Sequence, residues 1–329
     1  MSAIVRTRLT DVLGIEHPVM LAGMGGVSYH ALAAAVSEAG GFGCLGASTM
    51  SSEEMVDEIR RTRELTDKPF GVDLLTAMPE RLMGDVQALI DGGASVFAAG
   101  LGVPRDVITL CHEQNVLVLS MCGKVRHAVA AVEAGCDIVV AQGTEAGGHT
   151  GQVATLPLVP QIVDAVGDRV PVAAAGGIFD GRGLAAALAL GADGAWIGTR
   201  FIATPEARAV RGYKEALVAT AEDGTAISRA YSGKTMRVVA NEVTRHYQEH
   251  PEELKPFPAQ LMAAIDGGFL HLGGDQDDTV DPDRECYPAG QGTGAIDELV
   301  PAGDLVRQIV AEAEAALDHL GGIRRTDRV

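Results

Sequence analysis

The segment AQGTEAGGHTG, residues 141–151, places one histidine among small residues after an apolar run. An imidazole has an ordinary pKa of about 6.5, so it can give and take a proton close to neutral pH. Gly147 and Gly148 carry no side chains, which leaves room for a substrate beside the imidazole. The pattern predicts His149 as an acid–base residue. A loop histidine bonded to a carbonyl or to Glu145 is the alternative, and the segment alone favours neither.

Two later segments, AAAGGIFDGRG and IGTRF, each place glycine where an apolar run ends. Glycine lets the backbone adopt positive φ and present consecutive N–H groups to an anion. Gly176, Gly177 and Gly198 have this position, with Thr199 next in sequence. Asp180 can cap the helix that follows, and the N-terminus of that helix favours negative charge. Two neighbouring loops of this kind predict a phosphate-binding site, whereas tight turns without a ligand are the alternative.

Eight apolar, β-like runs alternate with Ala-rich helical segments from residue 17 to residue 201. The runs are HPVMLAGM, GFGCLGAS, FGVDLL, SVFAAG, VLVLSM, DIVVAQ, VPVAAAGG and GAWIGTRF. Several are continuously apolar, which is typical of parallel strands buried on both faces. The alternation predicts an α/β fold, a (β/α)8 TIM barrel. A doubly wound open sheet is the alternative, but its GxGxxG fingerprint is replaced by GMGGVS after the first run.

The regular alternation stops after Phe201. We predict a mainly helical insertion near the C-terminus, residues 205–300, that covers the active-site end of a barrel formed by residues 1–204 and 301–329. The closing segment GDLVRQIVAEAEAALDHL has an apolar stripe that could pack on the barrel. Active sites of such barrels lie at the C-terminal ends of the strands. The glycine loops and His149 all fall at that end.

Composition and missing motifs exclude several classes of function. The formal net charge is −18 for 329 residues, so nucleic-acid binding is disfavoured. No window has the roughly 18 uncharged apolar residues of a membrane helix, and no signal peptide is evident. We therefore expect a cytoplasmic protein with no membrane partner. We also expect no metal site, because HExxH and paired CxxC motifs are missing.

Several segments together resemble one family, the FMN-dependent nitronate monooxygenases, also described as 2-nitropropane dioxygenase-like proteins. The matching segments are HPVMLAGMGGVS, AVSEAGGFGCLGA, KPFGVDL, QGTEAGGHTG, AAGGIFDGRGLAAALALGADGAWIGTRFIAT and AGQGTGAI. They extend from residue 15 to about residue 300. FMN-dependent enoyl reductases are related barrels.

The resemblance implies an FMN site and the residues that form it. These are Ala22, Gly23, Met24, Asp73, Lys124, Gln142, Gly147, Gly148, Gly176, Gly177, Gly198, Thr199, Gln291 and Gly292. The first three would line the flavin ring through their backbone, with Lys124 near it. The glycines of the seventh and eighth loops, with Thr199, would hold the phosphate and ribityl chain. Gln291 and Gly292 would close over the flavin from the insertion.

By the same resemblance, His149 is the general base of nitronate oxidation. The leading function is the oxidation of a small anionic nitronate or nitroalkane by dioxygen. The alternative is an NAD(P)H-dependent FMN reductase that acts on an enoyl thioester or a quinone. Asp73 stands where the family often has Asn, and a carboxyl group donates a hydrogen bond only when it is protonated. Among assemblies, the homodimer is the one that we consider.

Overall fold

Eight parallel strands form a nearly closed barrel in the computed structural model, which describes residues 5–76, 79–100, 102–271, 274 and 278–323. The barrel strands are β1 (Val19–Leu21), β2 (Gly43–Gly46), β3 (Phe70–Asp73), β4 (Val96–Ala99), β5 (Leu117–Cys122), β6 (Ile138–Gln142), β8 (Val172–Ala175) and β9 (Gly194–Ile197). Each pairs with its neighbour in parallel, and a bridge between Met20 and Phe42 joins β1 to β2. The predicted TIM barrel is confirmed.

The strands are apolar on both faces because the barrel has two apolar layers. Alternate residues such as Met20, Cys44, Val140 and Trp196 point inward and pack into one buried cluster. Their neighbours in sequence face the helices. Burial on both faces explains why these segments show no polar alternation.

The helices surround the barrel in chain order. They are α1 (Arg8–Leu13), α2 (His30–Glu38), α3 (Ser52–Leu65), α4 (Pro79–Asp91), α5 (Arg105–Glu113), α6 (Val125–Ala134), α7 (Thr155–Val166), α8 (Gly181–Ala189), α9 (Thr199–Ile202), α10 (Arg211–Ala219), α11 (Glu242–Glu249), α12 (Ala259–Asp266) and α13 (Ala302–Gly322). Leu9 and Leu13 of α1 join the inward cluster, and Leu9 packs where β9 begins. Helix α1 therefore closes the end of the barrel opposite the loops that carry the predicted site.

Helix α13 packs against α8 and α2, so it fills the place of the eighth barrel helix. Its buried stripe includes Leu305, Ile309 and Ala313, as the closing segment predicted. The contact with α8 is close at Gly181, where a Cβ would collide with the backbone of Ile309 and Ala313. No described helix combines the length and apolar character needed to cross a membrane.

Residues 205–300 contain α10, α11 and α12, together with an antiparallel hairpin that the sequence did not predict. The hairpin is formed by β10 (Thr225–Ser228) and β11 (Met236–Val239), and β11 also pairs with β7 (Gly148–His149). The insertion is thus joined by a β-ladder to the loop that carries His149. The division of the chain into a barrel and a separate insertion of residues 205–300 stays a prediction.

Candidate active site

The loops after β8 and β9 offer backbone N–H groups that the protein does not use. Gly176 and Gly177 both have positive φ, +103° and +74°. The N–H groups of Gly176, Gly177, Gly198 and Thr199 form no hydrogen bond with any acceptor in the described part of the chain. Four such groups in two adjacent loops are the donors that an anion requires.

The N-terminus of helix α8 is satisfied by carboxylates of the protein itself. Asp180 caps the helix, since its Oδ1 accepts a hydrogen bond of 3.0 Å from the N–H of Gly183, which confirms the predicted cap. The helix has nine residues and begins just after the glycine pair. Its first N–H group, at Gly181, donates to Glu312 Oε2 over 2.9 Å, so the carboxylates of Asp180 and Glu312 already occupy this N-terminus.

The loops at this end of the barrel touch one another. A Cβ on Gly198 would lie 3.3 Å from Met24 Sδ and 3.5 Å from Ala22 Cβ. The Thr199 hydroxyl oxygen accepts a hydrogen bond of 2.9 Å from the N–H of Gly290. These contacts bring together the loops after the first and last barrel strands and the end of the insertion.

The loop after β6 is fixed from several sides. Gln142 Nε2 donates to the carbonyl oxygen of His149 over 2.8 Å. Glu145 accepts from the N–H and the hydroxyl of Thr155 at 2.8 and 2.9 Å. Its carbonyl accepts from the N–H of Gln291, so the insertion closes onto this loop. Glu145 is therefore not the partner of His149.

Gly147 was expected to leave room for a substrate, but its open side faces protein backbone. A Cβ there would lie 2.8 Å from the carbonyl carbon of Ala289 and from the nitrogen of Gly290. The missing side chain thus admits the protein's own backbone. Gly148 has a φ of +73° and pairs with Arg237 of β11. Both glycines position His149 through the ladder.

The His149 side chain keeps an exposed face, and its Nε2 lies 2.8 Å from the Oγ of Ser232. The pKa of His149 is lowered, first by partial removal from water and second by the positive charge of Lys234. Neutral imidazole is therefore the favoured form at neutral pH, and this is the form that accepts a proton.

Asp73 ends β3 and lies against the first loop. A Cβ on Gly23 would collide with the Asp73 side chain. Burial raises the pKa of Asp73 well above its usual range. Burial therefore favours the protonated carboxyl group, which has a hydrogen to donate, whereas a carboxylate does not.

Lys124 follows β5 and is the N-cap residue of α6. Its ammonium forms no ion pair with a carboxylate among the residues that the structure describes. The neighbouring Gly123 touches the loop after β6, where a Cβ would lie 3.5 Å from the Cα of Gly151. Lys124 thus lies at the same end of the barrel as the loop of His149.

Gln291 and Gly292 begin a short 3₁₀ turn over the barrel mouth, Gln291–Ala295. Gln291 is exposed, and Gly292 approaches Phe179 closely enough for a Cβ to lie 2.6 Å from its Cδ1. Phe179 belongs to the loop that contains Gly177. The insertion therefore reaches both the His149 loop and the phosphate-type loop.

Sequence reasoning missed three residues around His149, all from the insertion: Ser232, Lys234 and Arg237. Arg237 is 6% exposed, and its Nε donates to the carbonyl of Thr144 over 2.9 Å. The only local signal was the segment YSGKTMR, in which a glycine interrupts polar and apolar residues. That signal indicates a turn and does not show which loop the hairpin will meet.

Fold and site together define the class of protein, a (β/α)8-barrel enzyme. Its C-terminal face combines unused backbone N–H groups, which suit an anion, with a histidine whose lowered pKa favours the neutral imidazole. In such barrels the loops after the last two strands bind phosphate, and side chains at the strand ends do the chemistry.

The comparison with known proteins identifies the family. A model of the nitronate monooxygenase family matches residues 6–83 and 77–312. The chain belongs to this family and is an oxidoreductase. A curated relative from Rhodococcus jostii, "(3aS,4S,5R,7aS)-5-hydroxy-7a-methyl-1-oxo-octahydro-1H-indene-4-carboxyl-CoA dehydrogenase", is 33% identical, covering 97% of this chain and 99% of the relative.

Two solved structures are similar over nearly the whole chain. FabK from Thermotoga maritima is 36% identical with a TM-score of 0.87, covering 97% of this chain and 99% of that one. A nitroalkane oxidase from Streptomyces ansochromogenes is 33% identical with a TM-score of 0.79, covering 95% of this chain and 99% of that one. The similarity therefore includes proteins with different substrates.

Proposed function

We propose that this protein is an FMN-dependent oxidoreductase that oxidises a small nitronate or nitroalkane with dioxygen. The observation that carries the proposal is the set of four unused N–H groups after β8 and β9, next to the loop of His149. Such a set suits the phosphate of a mononucleotide, because backbone donors bind an anion even in a protein of negative net charge. The nitroalkane oxidase named above supports the choice of substrate.

The residues present fit FMN. Gly176, Gly177, Gly198 and Thr199 would hold the phosphate, since side chains at the glycines would fill the space in front of the amides. Met24 and Gly23 would line the ring, with Lys124 as the nearby positive charge. When bound, FMN would supply the redox chemistry by accepting electrons from the substrate and passing them to the oxidant. The protein supplies position, charge and proton transfer.

His149 would act on the substrate as a base or as an orienting group. For a nitroalkane, the neutral imidazole takes the proton from the carbon that bears the nitro group, and the electron pair remains on the substrate. For a nitronate, which has already lost that proton, the imidazole orients the anion. The raised pKa of Asp73 supports this assignment, because burial disfavours the ionised carboxylate that would repel an anionic substrate at the barrel mouth.

A second candidate is an NAD(P)H-dependent FMN reductase that acts on an enoyl thioester or a quinone. The specific support for a thioester is that FabK, an enoyl reductase, and the carboxyl-CoA dehydrogenase each align with 97% of this chain. The same neutral imidazole would then act on the thioester substrate. The two candidates differ in which compound delivers electrons to the flavin.

The electron donor separates the candidates. We expect the purified protein to be yellow and its flavin absorbance to bleach when propyl-2-nitronate is added without oxygen. Admission of oxygen should restore the colour. Bleaching by NADH or NADPH, with none by the nitronate, would replace the first candidate by the second. A colourless protein that takes up no FMN would contradict both.

The pH dependence follows from the pKa of His149. Because partial removal from water and the charge of Lys234 lower that pKa, the rise of kcat/KM with pH for a nitroalkane should have its midpoint below pH 6.5. Lys234→Met removes the positive charge and should shift the midpoint of this rise to higher pH. The measurement is kcat/KM from pH 5 to 8 for both proteins. If kcat/KM of the unchanged protein rose with a midpoint above pH 6.5, or if the midpoint did not shift in the variant, His149 would not be the base.

A further inference from the structure

Ser232 lies behind the imidazole of His149. It is 3% exposed and comes from the turn of the β10–β11 hairpin. Its Oγ is 2.8 Å from His149 Nε2, 3.3 Å from the backbone nitrogen of Lys234 and 3.4 Å from the carbonyl oxygen of Lys234. One hydroxyl group therefore has three hydrogen-bonding neighbours.

The three neighbours limit where the hydrogens can lie. A hydroxyl has one hydrogen to donate and two lone pairs that accept. The N–H of Lys234 can only donate to the oxygen, and the carbonyl of Lys234 can only accept from it. When the hydroxyl hydrogen is directed to that carbonyl, one lone pair remains for the imidazole, and Nε2 of His149 then carries the hydrogen of the 2.8 Å contact with Ser232. Met236 Sδ, 3.9 Å away, is another acceptor for the hydroxyl and leads to the same assignment.

The backbone holds the two residues in this arrangement. His149 is paired with Met236 in the ladder between β7 and β11. The N–H of Thr150 donates to the carbonyl of Thr235 over 3.3 Å, and Gln142 holds the carbonyl of His149. These contacts fix the backbone of His149 beside the hairpin, which places its side chain within reach of Ser232.

We propose that Ser232 is a positioning residue that holds His149 as the neutral tautomer protonated at Nε2, so that Nδ1 is the nitrogen that exchanges the proton of the substrate. The inference rests on the proposed function for the role of Nδ1, but the tautomer itself does not depend on any reaction. With Nε2 turned toward a buried hydroxyl, the exposed edge of the ring presents the lone pair of Nδ1. The base therefore needs no tautomer change before it accepts a proton.

The test is ¹⁵N NMR of the FMN-loaded protein labelled at histidine, with His149→Gln to assign the signals. We expect Nε2 of His149 to appear as a protonated nitrogen and Nδ1 as an unprotonated one above the pKa. Ser232→Ala should give a mixture of tautomers and about a tenfold fall in kcat with little change in KM, because one positioning hydrogen bond is lost. Ser232→Thr keeps the hydroxyl and should restore most of both. Ser228→Ala, in the same hairpin, is the matched control and should change neither.

The outcomes separate the inference from the proposed function. A signal from Nδ1–H in the unchanged protein would overturn the inference even if activity depends on His149. An Nε2–H tautomer in a protein whose activity does not depend on His149 would leave the tautomer assignment standing and overturn the proposed function. Unchanged tautomer and unchanged kcat in Ser232→Ala would show that Ser232 does not position the ring. If that variant does not fold, the tautomer of the unchanged protein and of Ser232→Thr still decides.

Discussion

His149→Ala is expected to lower kcat by about 10²- to 10⁴-fold while FMN stays bound, because a positioned acid–base group contributes about this much to a rate. The imidazole lies on an exposed face of its loop and is not among the residues proposed to hold the phosphate, so its removal should not release the flavin. The measurements are steady-state turnover of a nitroalkane and the flavin-to-protein absorbance ratio of the purified variant.

The control for this variant is His127→Ala. His127 is an exposed histidine on α6, and its loss removes an imidazole from the surface without touching the loop after β6. Turnover should be unchanged. Unchanged turnover in His149→Ala would remove the histidine from the mechanism, and loss of FMN together with activity would make it a cofactor-binding residue instead.

Gly177→Val is expected to abolish FMN binding at micromolar concentrations. Gly177 has a φ of +74°, a region that a β-branched residue avoids, and a Cβ there would already lie 3.4 Å from Glu145 Cβ. The new side chain would stand in front of the N–H groups proposed to bind the phosphate and would disturb their alignment. The variant should purify without colour and show no quenching of added FMN fluorescence.

A second glycine provides the control for backbone strain. Gly14 has a φ of +67° at the C-cap of α1, on the opposite end of the barrel. Gly14→Val should lower the free energy of unfolding by about 1–3 kcal/mol through the same strain, yet keep its flavin. Full flavin content in Gly177→Val would place the phosphate elsewhere. Loss of flavin in both variants would show that instability, and not the site, explains the result.

Much of the architecture could be predicted because it is recorded in local patterns. Continuously apolar runs such as DIVVAQ predict buried parallel strands, and the alternation with helical segments predicts a barrel. Glycine at the ends of two adjacent strands predicts an anion site, since few other residues adopt positive φ. The type of a side chain is also local information, so the sequence singled out His149 as a candidate proton carrier, with the family resemblance deciding against the structural alternative.

Other features of the site depend on residues that are far apart in the chain. Ser232 is 83 positions from His149, and the hairpin that carries it gave only a turn signal. Lys234 comes from the same hairpin and lowers the pKa of the imidazole. The role of Gly147 was also misjudged, because the backbone that fills its open side comes from Ala289 and Gly290.

The chain by itself determined the barrel, the position of its active end and the kinds of group gathered there. The tertiary structure alone decided the direction in which the pKa values of these groups shift. Asp73 looks like a charged residue in sequence, and only its burial in the barrel mouth raises its pKa well above the usual range of a carboxyl group. The physical reason is that backbone preferences follow from neighbours in sequence, whereas a pKa and a tautomer follow from solvent exclusion and from neighbours in space.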